Sequence, residues 1–157
     1  MAALEFKLTR LRGDQDNTWG ILEEMTGTGF KCLTIEDAGR RCLPVGDYPM
    51  LLYTDTNSLC YGLRVSTFSI YRFARFTCIL DDKPGMIALA ERTKDGLTIC
   101  SEDAMRALSG IIETKMCSGQ MARLVKRGDI ILHVEFSPDY QYAEKAEDEM
   151  YRSVDFT

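Results

Sequence analysis

The sequence predicts one α+β domain built on a mostly antiparallel β barrel or sandwich, with one or two helices before the last strand. Three observations predict this fold class. Apolar and polar residues alternate with a period of two in much of the first hundred residues, as in half-buried strands. Turns rich in glycine, proline and aspartate separate these segments. The period becomes that of a helix only after Ser101.

The first strand, 4–9, shows the alternation most plainly, because Leu4, Phe6 and Leu8 share one face and polar residues occupy the other. Turn-forming residues delimit the segments that follow. The further predicted strands are 18–22, 30–35, 48–54, 63–65, 67–80, 86–90 and 97–100. Asp95 and Gly96 predict a tight hairpin between the last two, since this pair tolerates positive φ angles.

Ser101 is a predicted helix N-cap, and the acidic residues Glu102 and Asp103 match the positive end of the helix dipole. Apolar residues then recur at helical spacing, which gives one apolar stripe. A second helix is predicted over 118–127, with Gly128 as its C-terminal cap. A final strand is predicted over 129–136.

With 157 residues, of which 45% are apolar, the chain suits one compact domain, assigned to 1–137. An acidic, partly helical tail is predicted over 138–157, where six acidic residues stand against two basic ones. The alternatives for this tail are packing on its own domain, docking on another chain, and plain disorder. Its aromatic and apolar anchors predict a protein partner or self-association. The candidate partner-binding residues are Tyr140, Tyr142, Met150, Tyr151 and Phe156.

The composition of the chain disfavours several classes of function. Its 19 basic and 24 acidic residues give a net charge of -5, which disfavours a nucleic-acid partner. The six cysteines are spaced ten or more positions apart and His133 is the only histidine, so we expect no metal and no cofactor. The sequence predicts no membrane span and no signal peptide, and hence reduced cysteines in a cytoplasm, or a location in a virion.

Cys100 and His133 form the candidate catalytic pair. Cys100 directly precedes the predicted helix, where the pKa of a thiol can be lowered, and His133 is the only histidine available as its base. The alternation of the last strand, however, places His133 on the face opposite the more apolar one. We therefore favour an ordinary buried cysteine and a half-exposed histidine, and expect no catalysis.

Arg72 and Arg75 alternate with aromatic residues, as cations do on surfaces that bind anions or nucleotides. A strand with an exposed basic edge explains the pattern equally well. Glu36, Asp37 and Asp47 are candidates for a paired-carboxylate site. Because Glu36 and Asp37 are adjacent on a strand, they point to opposite faces, and a solvated loop is the preferred interpretation.

Three short blocks in the first third of the chain resemble an uncharacterised family, a domain of unknown function found in bacteria and their phages. The matching residues are Thr18 and Gly20, then Cys32, Thr34 and Glu36, then Pro44, Gly46 and Tyr48. The later half of that family carries a histidine and a Gly-Cys pair reminiscent of cysteine L,D-transpeptidases, whereas residues 65–100 of this chain contain no histidine.

The resemblance implies a phage or mobile-element origin. We therefore expect a non-catalytic partner-binding or structural protein. The alternatives are a transpeptidase-like cell-wall enzyme and an anion- or nucleotide-binding module.

Overall fold

The computed structural model describes residues 3–55, 60–67, 69–80, 83–115 and 129–143. Within these ranges the chain forms strands and one α-helix, with a short 3-10 turn at Gly39–Arg41. The strands are β1 Leu4–Gly13, β2 Asn17–Glu24, β3 Lys31–Asp37, β4 Gly46–Asp55, β5 Cys60–Val65, β6 Phe76–Thr77, β7 Ile87–Arg92, β8 Thr98–Cys100 and β9 Ile130–Tyr142. The helix is α1, Glu102–Lys115.

The strands form one curled, mixed sheet in the order β5-β4-β9-β1-β2-β3-β7-β6, and β8 also pairs with β7. Most neighbours are antiparallel, but β9 runs parallel to β1, and β6 runs parallel to β7. β9 lies between β1 and β4, so the last described strand occupies the middle of the sheet.

The two ends of the curled sheet meet at a seam. Arg64 of β5 forms an antiparallel bridge with Arg75, just before β6. The Val65 N–H donates to the Ala74 carbonyl at 2.7 Å across the same seam. Helix α1 packs against β5 and β7 and completes the core with buried apolar residues. The predicted α+β class with a mostly antiparallel, barrel-like sheet is therefore confirmed.

The local signals read from the sequence account for several of these elements. Leu4, Phe6 and Leu8 of β1 are fully buried, and the Phe6 ring packs edge-on against Phe76 with 5.4 Å between centroids. The Ser101 hydroxyl accepts the Ala104 N–H at 3.1 Å, which confirms the predicted N-cap.

The long strand predicted over 67–80 is wrong, because among the described residues of this range only Phe76–Thr77 is strand. In the preceding segment the Arg72 N–H donates to the Ser69 carbonyl, and the Ala74 N–H donates to the Tyr71 carbonyl, as in turns. The Ser69 hydroxyl also accepts the Tyr71 N–H at 3.1 Å. Such local bonds from a serine compete with ladder pairing, and the alternation of residue types does not reveal them.

β9 continues six residues beyond the predicted end of the last strand, so residues 138–142 belong to the sheet. The second predicted helix, 118–127, lies outside the described residues. So do residues 144–157 of the predicted tail, with Met150, Tyr151 and Phe156. No helix among the described residues is both long enough and apolar enough to cross a membrane.

Candidate functional site

A buried ion pair joins the first and third strands. Arg10 continues the inward face of β1, and its side chain is only 2% exposed. Its Nε lies 3.0 Å and its Nη2 lies 2.8 Å from the two carboxylate oxygens of Glu36, which is fully buried on β3. The same Nη2 donates to the Leu43 carbonyl at 2.6 Å. This bidentate geometry fixes the orientation of the two side chains in addition to pairing their charges.

Each partner depends electrostatically on the other. Burial alone would lower the pKa of Arg10, but the hydrogen bonds and charge of Glu36 outweigh it and raise that pKa. Burial raises the pKa of Glu36, and the guanidinium of Arg10 acts in the opposite direction. Removing either group would leave the other as an isolated charge in the core.

Gly20 makes the crossing from β1 to β3 possible. It lies on β2, opposite Arg10 on one side and Thr34 on the other. A Cβ at Gly20 would lie 2.6 Å from the Thr9 carbonyl oxygen and 3.0 Å from the Thr34 hydroxyl. A side chain at this position would therefore collide with β1 and β3, the two strands that carry the ion pair.

The three sequence blocks described above converge on this pair. Thr18 lies opposite Glu36, and Gly20 lies opposite Thr34, across the β2–β3 ladder. In the third block the Tyr48 hydroxyl donates to the Pro44 carbonyl at 2.5 Å, next to the Leu43 carbonyl bound by Arg10. One or more residues of each block thus lie at or beside one buried ion pair.

The solvated loop predicted at Glu36 is wrong. Glu36 lies within β3 and is fully buried, because the guanidinium of Arg10 replaces the water that its carboxylate would otherwise need. Asp37 and Asp47 do not join it in a carboxylate pair: Asp37 binds Arg41 at 2.9 Å, and Asp47 binds His133. Arg10 is the site residue missed by the sequence interpretation, although it continues the inward face of Leu4, Phe6 and Leu8.

A bulge in β9 covers the ion pair. Arg10 is paired with Phe136 and Arg12 with Gln141, so residues 137–140 lie opposite Leu11 alone. Pro138 lies in this bulge, where its missing N–H costs no ladder bond. The arrangement brings the rings of Phe136 and Tyr140 into edge-on contact, with 4.7 Å between centroids.

The rings of Phe136 and Tyr140 also contact residues of β1. The Arg10 guanidinium carbon lies 5.3 Å from the centroid of Phe136, within the range of a cation–π contact. Tyr140 packs over Gly13, where a Cβ would overlap the tyrosine hydroxyl. The bulge is therefore held by both the buried arginine and a required glycine.

Between the bulge and the 39–45 loop lies a cleft of about 470 Å³, which we call the aromatic cleft. Arg10 and Leu43 are among its lining residues, together with Tyr71 and Tyr140. Three further lining residues are strongly exposed apolar or aromatic side chains: Val45 at 55%, Phe136 at 47% and Tyr142 at 61%. Nη1 of Arg10 makes no hydrogen bond with a described residue, and Arg10 is among the residues that line the cleft.

Two ionisable groups that line the aromatic cleft, Cys42 and Tyr140, have raised pKa values. Burial raises the pKa of Cys42 to about 11, and its thiol donates to the Asp37 carbonyl. Burial likewise raises the pKa of Tyr140. A carboxylate oxygen of Asp14 accepts the Asp16 and Asn17 N–H groups at 2.8 Å each.

Cys100 and His133 are not brought together. Cys100 lies on β8 and His133 lies on β9, with β1, β2, β3 and β7 between them in the sheet. Burial of the Cys100 thiol raises its pKa, which disfavours the thiolate. Both ring nitrogens of His133 are engaged, Nδ1 with Asp47 and Nε2 with Glu5, each at 2.6 Å.

Arg72 and Arg75 lie in and just after the 69–74 turn. The Arg72 guanidinium carbon is 4.9 Å from the Phe73 ring centroid, and that of Arg75 is 5.7 Å from the Tyr53 ring centroid. Tyr140 and Tyr142, two of the residues predicted to bind a partner, both line the aromatic cleft. The predicted partner-binding tyrosines therefore lie at the aromatic cleft, whereas the predicted ligand-binding arginines lie at or near the seam.

Within the described part of the chain, no cluster of three or more histidine, cysteine, aspartate or glutamate residues is arranged to hold a metal ion. The five described cysteines are free thiols. No protein-family model matches the chain, and comparisons with curated proteins and with solved structures found no significant match.

Proposed function

We propose that this protein is a non-catalytic binding protein that holds a segment of a protein partner in the aromatic cleft. The observation that carries the proposal is the convergence of Val45, Phe136 and Tyr142, all strongly exposed, around a cleft lined by Arg10. Single exposed apolar residues are ordinary on a protein surface, but a contiguous group marks an interaction site. The resemblance of the three sequence blocks supports a phage or mobile-element setting for this partner.

The lining of the cleft defines the chemistry of the partner segment. Tyrosines and arginines are enriched where proteins bind one another, because their large side chains combine an apolar body with a polar group. An apolar or aromatic side chain of the partner would pack against Tyr140 and Tyr142. A carbonyl or carboxylate oxygen would accept a hydrogen bond from Arg10 Nη1. Arg40, also in the lining, favours a partner with a nearby acidic residue.

The pKa values of the lining residues support binding rather than catalysis. A general base or nucleophile works best when its pKa lies near the working pH. The pKa of Cys42, at about 11, and the raised pKa of Tyr140 move both groups in the unfavourable direction. Glu36, the acid nearest to Arg10, is enclosed by its ion pair.

Selection from a random peptide library on the immobilised full chain tests the proposal. We expect the enriched peptides to combine an aromatic or apolar residue with an acidic one. A synthetic peptide of residues 144–157 is a separate arm, which tests self-association through the predicted tail. Dissociation constants are then measured for the wild-type chain and for Tyr142→Ser.

Ile70→Ser is the matched control, because Ile70 is 62% exposed and Tyr142 is 61% exposed, and Ile70 is not among the residues lining the cleft. We expect Tyr142→Ser to weaken binding by about tenfold or more, as for a central aromatic residue of an interface. Ile70→Ser should leave the affinity unchanged. Equal affinity of Tyr142→Ser and the wild type, or no enriched peptide, would overturn the proposal.

A further inference from the structure

The seam that closes the sheet places two like charges side by side. Arg64 and Arg75 are directly opposite each other in an antiparallel bridge, so their side chains share one face. Their chain neighbours Leu63, Val65, Ala74 and Phe76 are fully buried, and the two arginines therefore face outward. Like charges in this position destabilise a strand pair, so the arrangement calls for a compensating anion.

No described residue supplies that anion. Arg64, Arg72 and Arg75 form no ion pair within the described part of the chain, whereas Arg41 and Arg106 each bind a carboxylate. The Nε of Arg75 is buried and has no hydrogen-bond partner. A buried donor without an acceptor is costly, which is a second indication that this site is incomplete.

The guanidinium of Arg75 packs against the ring of Tyr53. The Tyr53 ring lies under the Arg75 guanidinium and packs against Gly62, where a Cβ would lie 2.6 Å from the ring. The Tyr53 hydroxyl donates to the Phe76 carbonyl at 2.5 Å, which ties the ring across the seam. Arg75 therefore rests on a fixed aromatic surface, which reduces the entropy lost when it binds a ligand.

A second pair of cations, Arg72 of the neighbouring turn and Lys83, contacts one aromatic ring. The Arg72 guanidinium carbon is 4.9 Å and the Lys83 Nζ is 5.0 Å from the centroid of the same Phe73 ring. Phe73 is itself exposed. This surface thus combines cations with aromatic rings, which is the composition of surfaces that bind phosphates and bases.

We infer that the seam binds a phosphate group between Arg64 and Arg75. Two guanidinium groups offer several N–H donors, and a phosphate has enough oxygens and charge to bind both, whereas one carboxylate would neutralise only one. The phosphate belongs either to a small molecule or to a nucleic-acid backbone. This site is separate in residues and ligand from the aromatic cleft, and neither proposal depends on the other.

Thermal unfolding of the full chain in sodium phosphate tests the site, with sodium chloride at the same ionic strength as the reference. A ligand that binds only the folded chain raises Tm, and the rise grows with the logarithm of the ligand concentration once that concentration exceeds Kd. We expect phosphate to raise Tm of the wild type above the chloride value. In Arg75→Gln and in Arg64→Gln this rise should disappear, although Tm in chloride should stay equal or increase because the repulsion is relieved. Arg106→Gln is the matched control for loss of one arginine and should keep the phosphate effect.

Fluorescence anisotropy with a labelled single-stranded oligonucleotide distinguishes the two phosphate sources. Binding of the oligonucleotide at least about tenfold tighter than inorganic phosphate, with a strong salt dependence that Arg75→Gln weakens, assigns the site to a nucleic-acid backbone. A phosphate effect on Tm without oligonucleotide binding assigns it to a small phosphate ligand. The inference is overturned if neither probe binds, or if Arg106→Gln weakens binding as much as Arg75→Gln does.

Discussion

At the scale of single residues, Arg10 decides the character of the site. It occupies a position on the inward face of β1 where another apolar side chain would be expected. An isolated charge in the core costs several kcal/mol, so the position is tolerable only because Glu36 supplies two acceptors. The ion pair therefore ties β1 to β3, and each of its members depends on the other.

Glu36→Gln tests this dependence. Breaking one side of a buried pair leaves an uncompensated charge, so we expect the free energy of unfolding to fall by about 3 to 5 kcal/mol. Replacing both partners, Arg10→Met with Glu36→Leu, should recover a large part of the loss. Urea unfolding followed by circular dichroism measures both. The surface variant Arg106→Ala should change stability by no more than about 1 kcal/mol, and a similarly small effect of Glu36→Gln would refute the dependence.

Gly20 gives a second test at this scale. Gly20→Ala places a methyl group 2.6 Å from the Thr9 carbonyl oxygen, and overpacking of this kind costs about 1 to 3 kcal/mol. Gly110→Ala is the control of opposite sign, because nothing lies within 4 Å of its Cβ and alanine in a helix is favoured by about 1 kcal/mol. Both are measured by urea unfolding. A neutral Gly20→Ala variant would show that β1 and β2 can separate without loss.

At the scale of elements, β9 organises the site. Its first half pairs with β1 on one side and β4 on the other, and its bulge carries Phe136 and Tyr140 over Arg10. The outer face of the same strand carries His133, which bridges Glu5 of β1 and Asp47 of β4. One strand therefore links the aromatic cleft to a polar contact that spans three strands.

The His133 bridge predicts a pH dependence of stability. The hydrogen bond with Asp47 raises the pKa of His133 above 6.5; burial acts in the opposite direction, and the hydrogen bond with Glu5 raises the pKa further. A folded-state pKa above the unfolded value gives stability that is fully present below pH 6.5 and is lost as the pH rises through the folded-state pKa. Urea midpoints measured from mildly acidic to mildly alkaline pH should therefore fall over this window.

His133→Gln is the control for that titration, since the chain has no other histidine. We expect the variant to lose the decline and to show a nearly flat profile across the same window. An unchanged decline in His133→Gln would assign the pH dependence to another group.

Signals within one element could be read from the sequence, but those between elements could not. The alternation of β1 and the Ser101 cap are local, and both are confirmed. Glu36 was misinterpreted because its partner lies 26 positions earlier in the chain. The β9 bulge was missed because residues beyond Phe136 lose their alternation at Pro138, although the strand resumes pairing at Gln141. The aromatic cleft depends on both of these long-range features.

At the scale of the whole molecule, closure of the sheet requires contacts between distant parts of the chain. Leu4 pairs with Ile130 in the parallel β1–β9 ladder, and Arg64 meets Arg75 at the seam. Each of these contacts closes a long loop. The loop loses conformational entropy before the contact stabilises the fold, and this slows folding.

We therefore expect refolding to take milliseconds to seconds, as for other sheets with long-range pairing, rather than microseconds. Stopped-flow dilution from urea, followed by the fluorescence of Trp19, measures the rate. Leu132→Ala, in the buried part of β9, and Leu108→Ala, on α1, compare how early each element is formed. Refolding complete within microseconds would contradict the expectation that pairing of β9 limits the rate of folding.

The central place of β9 has a consequence for biosynthesis. A ribosome releases β1 early and β9 late, so one edge of β1 must wait on the order of ten seconds for its parallel partner. During that interval the nascent chain offers unpaired N–H and C=O groups beside the apolar face of Leu4, Phe6 and Leu8. Newly made copies on one messenger would be able to pair through this edge, and factors that shield it during translation would then set the yield of correctly closed protein.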